Sequence, residues 1–152
     1  MISIGSKAPD FKINIDDGTN FTLSDYLGQK VIVYFYPKDN TPGCTTEACD
    51  FRESIAQFNQ LKCKVLGISR DSVATHAKFK EKYNLNFPLG ADEDGAVCQL
   101  YGVWVQKSMF GKKYFGVNRA TFLIDEDGIV KHIWPSVSVS SHIKDILTVL
   151  QS

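Results

Sequence analysis

No apolar run in the sequence approaches the ~18 residues needed to cross a bilayer. The opening residues, MISIGSKAPDF, form neither a hydrophobic stretch nor a charged leader. The chain is therefore expected in the cytoplasm and off the membrane. Surplus charge is missing too: 17 basic residues face 17 acidic ones, so no field draws in nucleic acid. No zinc-finger, RNP-like or basic-helix pattern appears either. Cysteine is scarce, at positions 44, 49, 63 and 98, too few and too irregular for a secreted disulfide scaffold. In a reducing compartment a close pair is redox-active or metal-binding rather than structural. Two cysteines five apart with no histidine nearby make a poor zinc site, so no bound zinc is expected. His76, His132 and His142 show no ligand spacing and are expected on the surface. Repeats, low-complexity segments and linkers are absent. A chain of 152 residues, 43% hydrophobic and 22% charged, suits one domain over 1–152 with its own core.

What is present reads as alternating strands and helices. Phe11 to Ile15 alternates apolar and polar, Asp16-Asp17-Gly18 turns the chain, and Phe21-Thr22-Leu23 resumes, which predicts an N-terminal hairpin. Ser24 is placed to cap a short helix that Gly28 stops. Val31 to Tyr36 has the continuous apolar, β-branched and aromatic character of a strand buried on both faces. After the loop PKDNTPG, residues Ala48, Phe51, Ile55 and Phe58 recur at helical spacing. Val65 to Ile68 is a second buried strand, and Ser72 caps a helix carrying Ala74, Ala77, Phe79 and Tyr83. A turn at 92–95 precedes a short helix near Val97 to Tyr101. Strands at 121–124 and 129–134 flank Asp125-Glu126-Asp127-Gly128, and Ser140 or Ser141 opens a last helix with Ile143, Ile146, Leu147 and Leu150 on one face. A parallel crossover first and an antiparallel hairpin last predict an α/β thioredoxin-like fold: a mixed central sheet flanked by helices, with the N-terminal β-hairpin as an extension.

The chemistry is expected at Cys44. The segment Pro37 to Cys44 joins a buried strand to a helix, the position at which open α/β sheets bind ligands. Thr41 is read as the N-cap and Pro42 as the first helical residue, which puts Cys44 in the first turn. There the unpaired amides and the positive end of the helix dipole favour a thiolate. Such placement draws a cysteine pKa from ~8.5 towards ~6. Cys44 shares a helix face with Ala48, Phe51 and Ile55. Cys49 lies about 140° round the axis, on the flank with Arg52 and Glu53. Five residues of regular helix separate the two α-carbons by roughly 8–9 Å, whereas a disulfide needs them within about 7 Å. Either the first turns unwind or the pair never bridges. Pro42 and Gly43, which weaken the helix start, favour unwinding.

These residues resemble a known family. Pro37, Thr41 and Cys44 form the Pro-x-x-x-Thr-x-x-Cys signature of the peroxiredoxins. The longer block FYPKDNTPGCTTEACDF is similar to the peroxiredoxin Q branch, also called bacterioferritin comigratory proteins. APDF at 8–11, YGVW at 101–104, FGKKYFG at 110–116 and NRATFLID at 118–125 extend the resemblance over the whole chain. It implies a peroxidatic Cys44 that attacks hydrogen peroxide or an organic hydroperoxide and becomes a sulfenic acid. Thr41 would orient the peroxide, Pro37 would shield the sulfur, and Arg119 would stabilise the thiolate and the departing oxygen. Glu47 would hold Arg119, and Cys49 would be the resolving cysteine. The resemblance further implies a monomer recycled by thioredoxin or a similar dithiol reductant, without cofactor.

Plainer readings stand beside these. Cys63 and Cys98 sit in apolar stretches and read as small core fillers, which leaves open whether either competes as a resolving thiol. Thr41 and Pro37 suit a cap and a loop in any protein, Arg119 suits a surface, and Glu47 suits the helix dipole. Trp104, Phe110, Tyr114 and Phe115 form either an apolar collar near the site or core packing. A thioredoxin-like disulfide oxidoreductase is a rival function, but it uses Cys-x-x-Cys and a cis-proline where Arg119-Ala120-Thr121 stands. A metal-binding module is a second rival, and a redox sensor sharing the same cysteine chemistry is a third.

Overall fold

The structure is a computed structural model that describes residues 2–152. Its centre is β3 (Lys30–Phe35). Val31, Val33 and Phe35 point to one side of this strand, while Ile32, Tyr34 and the following Tyr36 point to the other, and all six are buried. A strand apolar on both faces lies inside a sheet covered on both sides. β3 pairs in parallel with β4 (Cys63–Ser69) and antiparallel with β8 (Ala120–Ile124). With β1 (Lys12–Ile15), β2 (Asn20–Thr22), β5 (Leu89–Ala91) and β9 (Val130–Trp134) they form one sheet in the order β2-β1-β5-β4-β3-β8-β9.

The crossover from β3 to β4 is α1 (Pro42–Gln60). It packs with α2 (Val73–Tyr83) and α4 (His142–Gln151) over Ile32, Tyr34 and Tyr36, through Phe51, Phe58, Phe79, Ile143 and Ile146. The opposite face is closed by α3 (Ala96–Leu100) and the N-terminal segment, through Val97, Cys98, Phe11, Phe21 and Tyr101. The expected thioredoxin-like layout is what forms, with the β1–β2 hairpin added at the sheet edge beside β5. The Ser72 hydroxyl oxygen accepts the Thr75 amide and caps α2 as expected.

One local expectation fails, and two elements go beyond what the pattern predicts, each for a physical reason. Ser24 caps nothing: it sits inside a 3-10 turn, Leu23–Tyr26, and its amide donates to Asp10. β5 is three residues long, too short for any period to register. Of residues 104–117, Val117 is buried in the core and Trp104 packs against it, while Phe110, Tyr114 and Phe115 are exposed. The segment forms a separate two-stranded arm, β6 (Trp104–Met109) with β7 (Lys112–Val117), in register from Trp104↔Val117 to Met109↔Lys112. The reversal uses Phe110 at φ 52° and Gly111 at φ 78°, the two positive angles of a type I′ turn. For a side chain with a Cβ that geometry costs roughly 1–2 kcal/mol, and Phe110 is 98% exposed, so no packing offsets it.

Candidate active site

Cys44 is the third residue of α1. Its amide and that of Gly43 precede the first intrahelical bond, Thr45 N–H to the Thr41 carbonyl at 2.8 Å, so both are free at the helix entrance. The side chain is only 1% exposed and shares the sheet-facing side of α1 with Ala48 and Phe51. Arg119, one residue before β8, reaches over this helix start. Its Nη2 donates to the Cys44 Sγ at 3.3 Å and its Nη1 to Glu47 Oε1 at 2.6 Å. One planar guanidinium thus spans both groups, a geometry lysine cannot reproduce. Gly43 makes room for it, because a Cβ there would stand 3.2 Å from Nη2.

The electrostatics of this triad are uneven. Glu47 is fully buried, and burial pushes its carboxyl up to about 7 although Arg119 pulls the other way. Its Oε2 finds no partner among the described residues, nor does the buried Tyr34 hydroxyl. Tyr34 is held far from ionising by burial and by the nearby charges of Glu47 and Cys44. For Arg119, burial opposes the charge, but Glu47 and Cys44 outweigh it and raise its pKa. Lys107 of β6 is a further cation within electrostatic reach. Burial and then Arg119 lower its pKa, Cys44 raises it, and its Nζ donates to the Val117 carbonyl at 2.6 Å.

The loop leading into α1 is tied down on the side away from Cys44. Tyr36 donates to Asp39 Oδ1 at 2.6 Å, and Asp39 Oδ2 lies 2.6 Å from His76 Nδ1. His76 Nε2 donates to the Gly90 carbonyl at 2.9 Å, and the Asp39 amide donates to Asp71. Asn40 accepts from Lys82 and Tyr83 of α2.

The sequence-derived candidates divide accordingly. Cys44, Arg119 and Glu47, separated by up to 75 positions, meet in direct contact. Thr41 occupies the N-cap position, yet its hydroxyl does not cap α1. It donates to the Lys38 carbonyl at 2.8 Å instead, which leaves its lone pairs free to accept. Pro37 is exposed in the same loop. Cys49 lies half-buried inside the intact helix, and all four cysteines are free thiols. Burial pushes the Cys63 thiol up to about 12 and raises that of Cys98 further, so neither offers a thiolate.

The histidine expectation fails. His76 is 0% exposed, His142 is buried against Trp134 with Nε2 2.8 Å from the Thr121 hydroxyl, and His132 is half-buried on the Trp134 ring. Ligand spacing was the wrong test, since each imidazole has a partner supplied by the fold. Tyr34, Asp39 and Lys107 also escaped notice, although Asp39 lies inside the signature loop and Tyr34 in the strand that leads into it.

The AhpC/TSA family profile matches residues 4–133. This chain belongs to the AhpC/TSA family. A relative named Peroxiredoxin Bcp, from Bacillus subtilis, is 47% identical over 150 residues, covering 99% of this chain and 96% of its own. A cysteine-to-serine mutant of Xylella fastidiosa PrxQ superposes with a TM-score of 0.94 at 37% identity, covering 99% of this chain and 96% of that one. A bacterioferritin comigratory protein from Xanthomonas campestris, described for its alkyl peroxide reduction activity, superposes at 0.91 with 38% identity, again over 99% and 96%. Fold, family and Bcp/peroxiredoxin Q branch are thus those the motifs imply, and the AhpC/TSA member described here is a thiol-dependent peroxidase.

Proposed function

We propose that Cys44 is the sulfur that meets the hydroperoxide and that Cys49 resolves it. The observation carrying this assignment is the Arg119 guanidinium, 3.3 Å from the Cys44 Sγ and fixed by Glu47. A permanent cation there favours the thiolate and the negative charge that develops on the departing oxygen. Thr41, its proton engaged by Lys38, accepts the hydrogen of the incoming O–O–H and so orients the peroxide. Pro37 shields that position from the solvent side. The Cys44 thiolate attacks the terminal oxygen, an S–O bond forms and the O–O bond breaks. The alkoxide or hydroxide leaves and takes up a proton.

The resulting sulfenic acid condenses with the Cys49 thiol, forming the S–S bond and releasing water. Because both cysteines lie in α1, the first turns must unwind for the α-carbons to come within about 7 Å. A dithiol reductant, with thioredoxin as the favoured candidate, then takes over the disulfide. All required groups come from one chain, which supports action as a single-domain monomer over 1–152. No helix among the described residues is long and apolar enough to cross a membrane.

Mass spectrometry after one equivalent of hydrogen peroxide tests the scheme. A Cys44–Cys49 linkage is expected in the native chain, a stalled Cys44 sulfenic acid in Cys49→Ser, and no peroxide consumption in Cys44→Ser. Oxidation first at Cys63 or Cys98 would overturn the assignment.

A further inference from the structure

The arm formed by β6 and β7 joins the core only at its base, through Trp104 and Val117, yet its far end carries a costly turn. Type I′ turns favour Asn-Gly, Asp-Gly or Gly-Gly. Here the first position is Phe110, held at φ 52° and 98% exposed. Met109, Tyr114 and Phe115 beside it are exposed as well. A large apolar side chain in a strained conformation with nothing covering it is not explained by folding, which points to something outside the chain.

Charge says what that something is. From Gly95 to Ile124 there is no acidic residue, while Lys107, Lys112, Lys113 and Arg119 are all basic. The rest of a neutral chain therefore carries thirteen bases against seventeen acids. Lys112 and Lys113 flank the aromatic tip, whereas Lys107 and Arg119 lie toward the base of the arm, so an anionic partner is matched. A second copy of the chain is not, because tip-to-tip contact would bring like charges together. A protein partner of ordinary stability needs about 800 Å² from each side, which a two-residue turn on a two-stranded ribbon does not offer. A lipid interface asks only for an apolar tip ringed by lysine and aromatic rings.

We propose that the β6–β7 arm docks the protein on anionic lipid surfaces, Phe110 entering the headgroup boundary with Lys112 and Lys113 against the phosphates. The strand leaving the arm ends at Val117, two residues before Arg119. Six residues of strand span about 20 Å, so docking keeps the peroxide site within roughly that distance of the bilayer. A single inserted ring with a few lysines gives weak, reversible and salt-sensitive attachment.

Co-sedimentation of the intact reduced protein with phosphatidylglycerol vesicles at low ionic strength, against phosphatidylcholine vesicles, is the test. Binding is expected to the first alone and to be lost in 0.5 M salt. Phe110→Asn suits the turn better than phenylalanine, so it should unfold no more readily than the parent. It should nevertheless lower the partition coefficient about tenfold or more. Lys112→Glu should lower it roughly fivefold or more for the lost surface attraction. Both variants should keep full turnover of hydrogen peroxide. Failure to sediment with the anionic vesicles, or sedimentation unchanged by Phe110→Asn, would overturn the proposal. So would vesicle binding that persists while Phe110→Asn slows reduction by a dithiol protein, since the arm would then be a protein-docking element.

Discussion

Glu47→Gln should make the protein more stable at pH 8 while making it a worse enzyme. Unfolded, the carboxyl titrates near 4.5; folded, burial moves it to about 7. Between those values the folded chain holds a proton that the unfolded chain has lost, so Glu47 makes stability fall as pH rises through the window. The displacement is about 2.5 pH units at 1.36 kcal/mol each, on the order of 3 kcal/mol once Glu47 is fully ionised. Glutamine resembles the protonated acid: it keeps an oxygen for Arg119 Nη1 and carries no charge to desolvate. Urea unfolding of the reduced protein should therefore show parent and variant alike near pH 4.5, and the variant ahead by about 3 kcal/mol at pH 8.

His142 supplies an internal control. Burial lowers its pKa to about 4 from 6.5, so the unfolded chain binds the extra proton there and stability rises with pH over that range. In the parent the two slopes oppose each other, whereas Glu47→Gln should expose the rising limb alone. A variant less stable than the parent at pH 8 would refute the reasoning. It would mean that attraction to Arg119 exceeds the desolvation of Glu47, and that the buried pair is a net stabiliser.

Arg119→Ala removes the donor facing Cys44 and should slow sulfenic acid formation by about 10²–10³-fold, with Arg119→Lys falling between; stopped-flow oxidation with hydrogen peroxide measures both. Gly43→Ala adds a Cβ 3.2 Å from Arg119 Nη2 and strengthens the helix start by about 1 kcal/mol. It should slow disulfide closure about fivefold, read as a longer-lived sulfenic acid in single turnover. His76→Ala strips Asp39 of a buried partner and empties a fully enclosed site. It should lower unfolding free energy by roughly 3–5 kcal/mol in a denaturant titration.

The parts of the fold that the sequence disclosed are those where one face had to be apolar at a fixed period. Val31 to Tyr36 announced a doubly buried strand, and Phe51 with Phe58 announced a helix, because burial enforces periodicity whatever the neighbours are. β5 is too short to hold a period, and the β6–β7 arm is buried only at its base, at Trp104 and Val117, too little to impose one. At the site, Cys44 was legible from local grammar: a strand end, a proline at the helix start and a thiol in the first turn. Its partner was not. Nothing local separates Arg119 from a surface arginine, since its value comes from β3 and β8 lying side by side; the family resemblance alone singled it out. Nor could local pattern predict that the Thr41 hydroxyl turns back to Lys38, leaving α1 without a side-chain cap.

That missing cap fits the demands on the helix start. Residues 42–49 must be ordered enough to hold Cys44 against Arg119, yet loose enough to let Cys44 reach Cys49. The surrounding structure divides these demands along the chain. Upstream, Asp39 is bound to Tyr36, His76 and Asp71, and Asn40 to Lys82 and Tyr83, so the loop that positions Thr41 does not depend on α1. Downstream, Phe51 stacks on Tyr34 at 4.4 Å and meets Phe58 and Phe87, which anchors the rest of the helix in the core. Between these anchors lie an uncapped end, a glycine, and a half-buried Cys49 on the flank of the helix. Unwinding confined to this stretch gives up few buried contacts beyond Cys44, Glu47 and Ala48. Of these, Glu47 is a burden on the folded state once ionised, so its release offsets part of the free energy of opening.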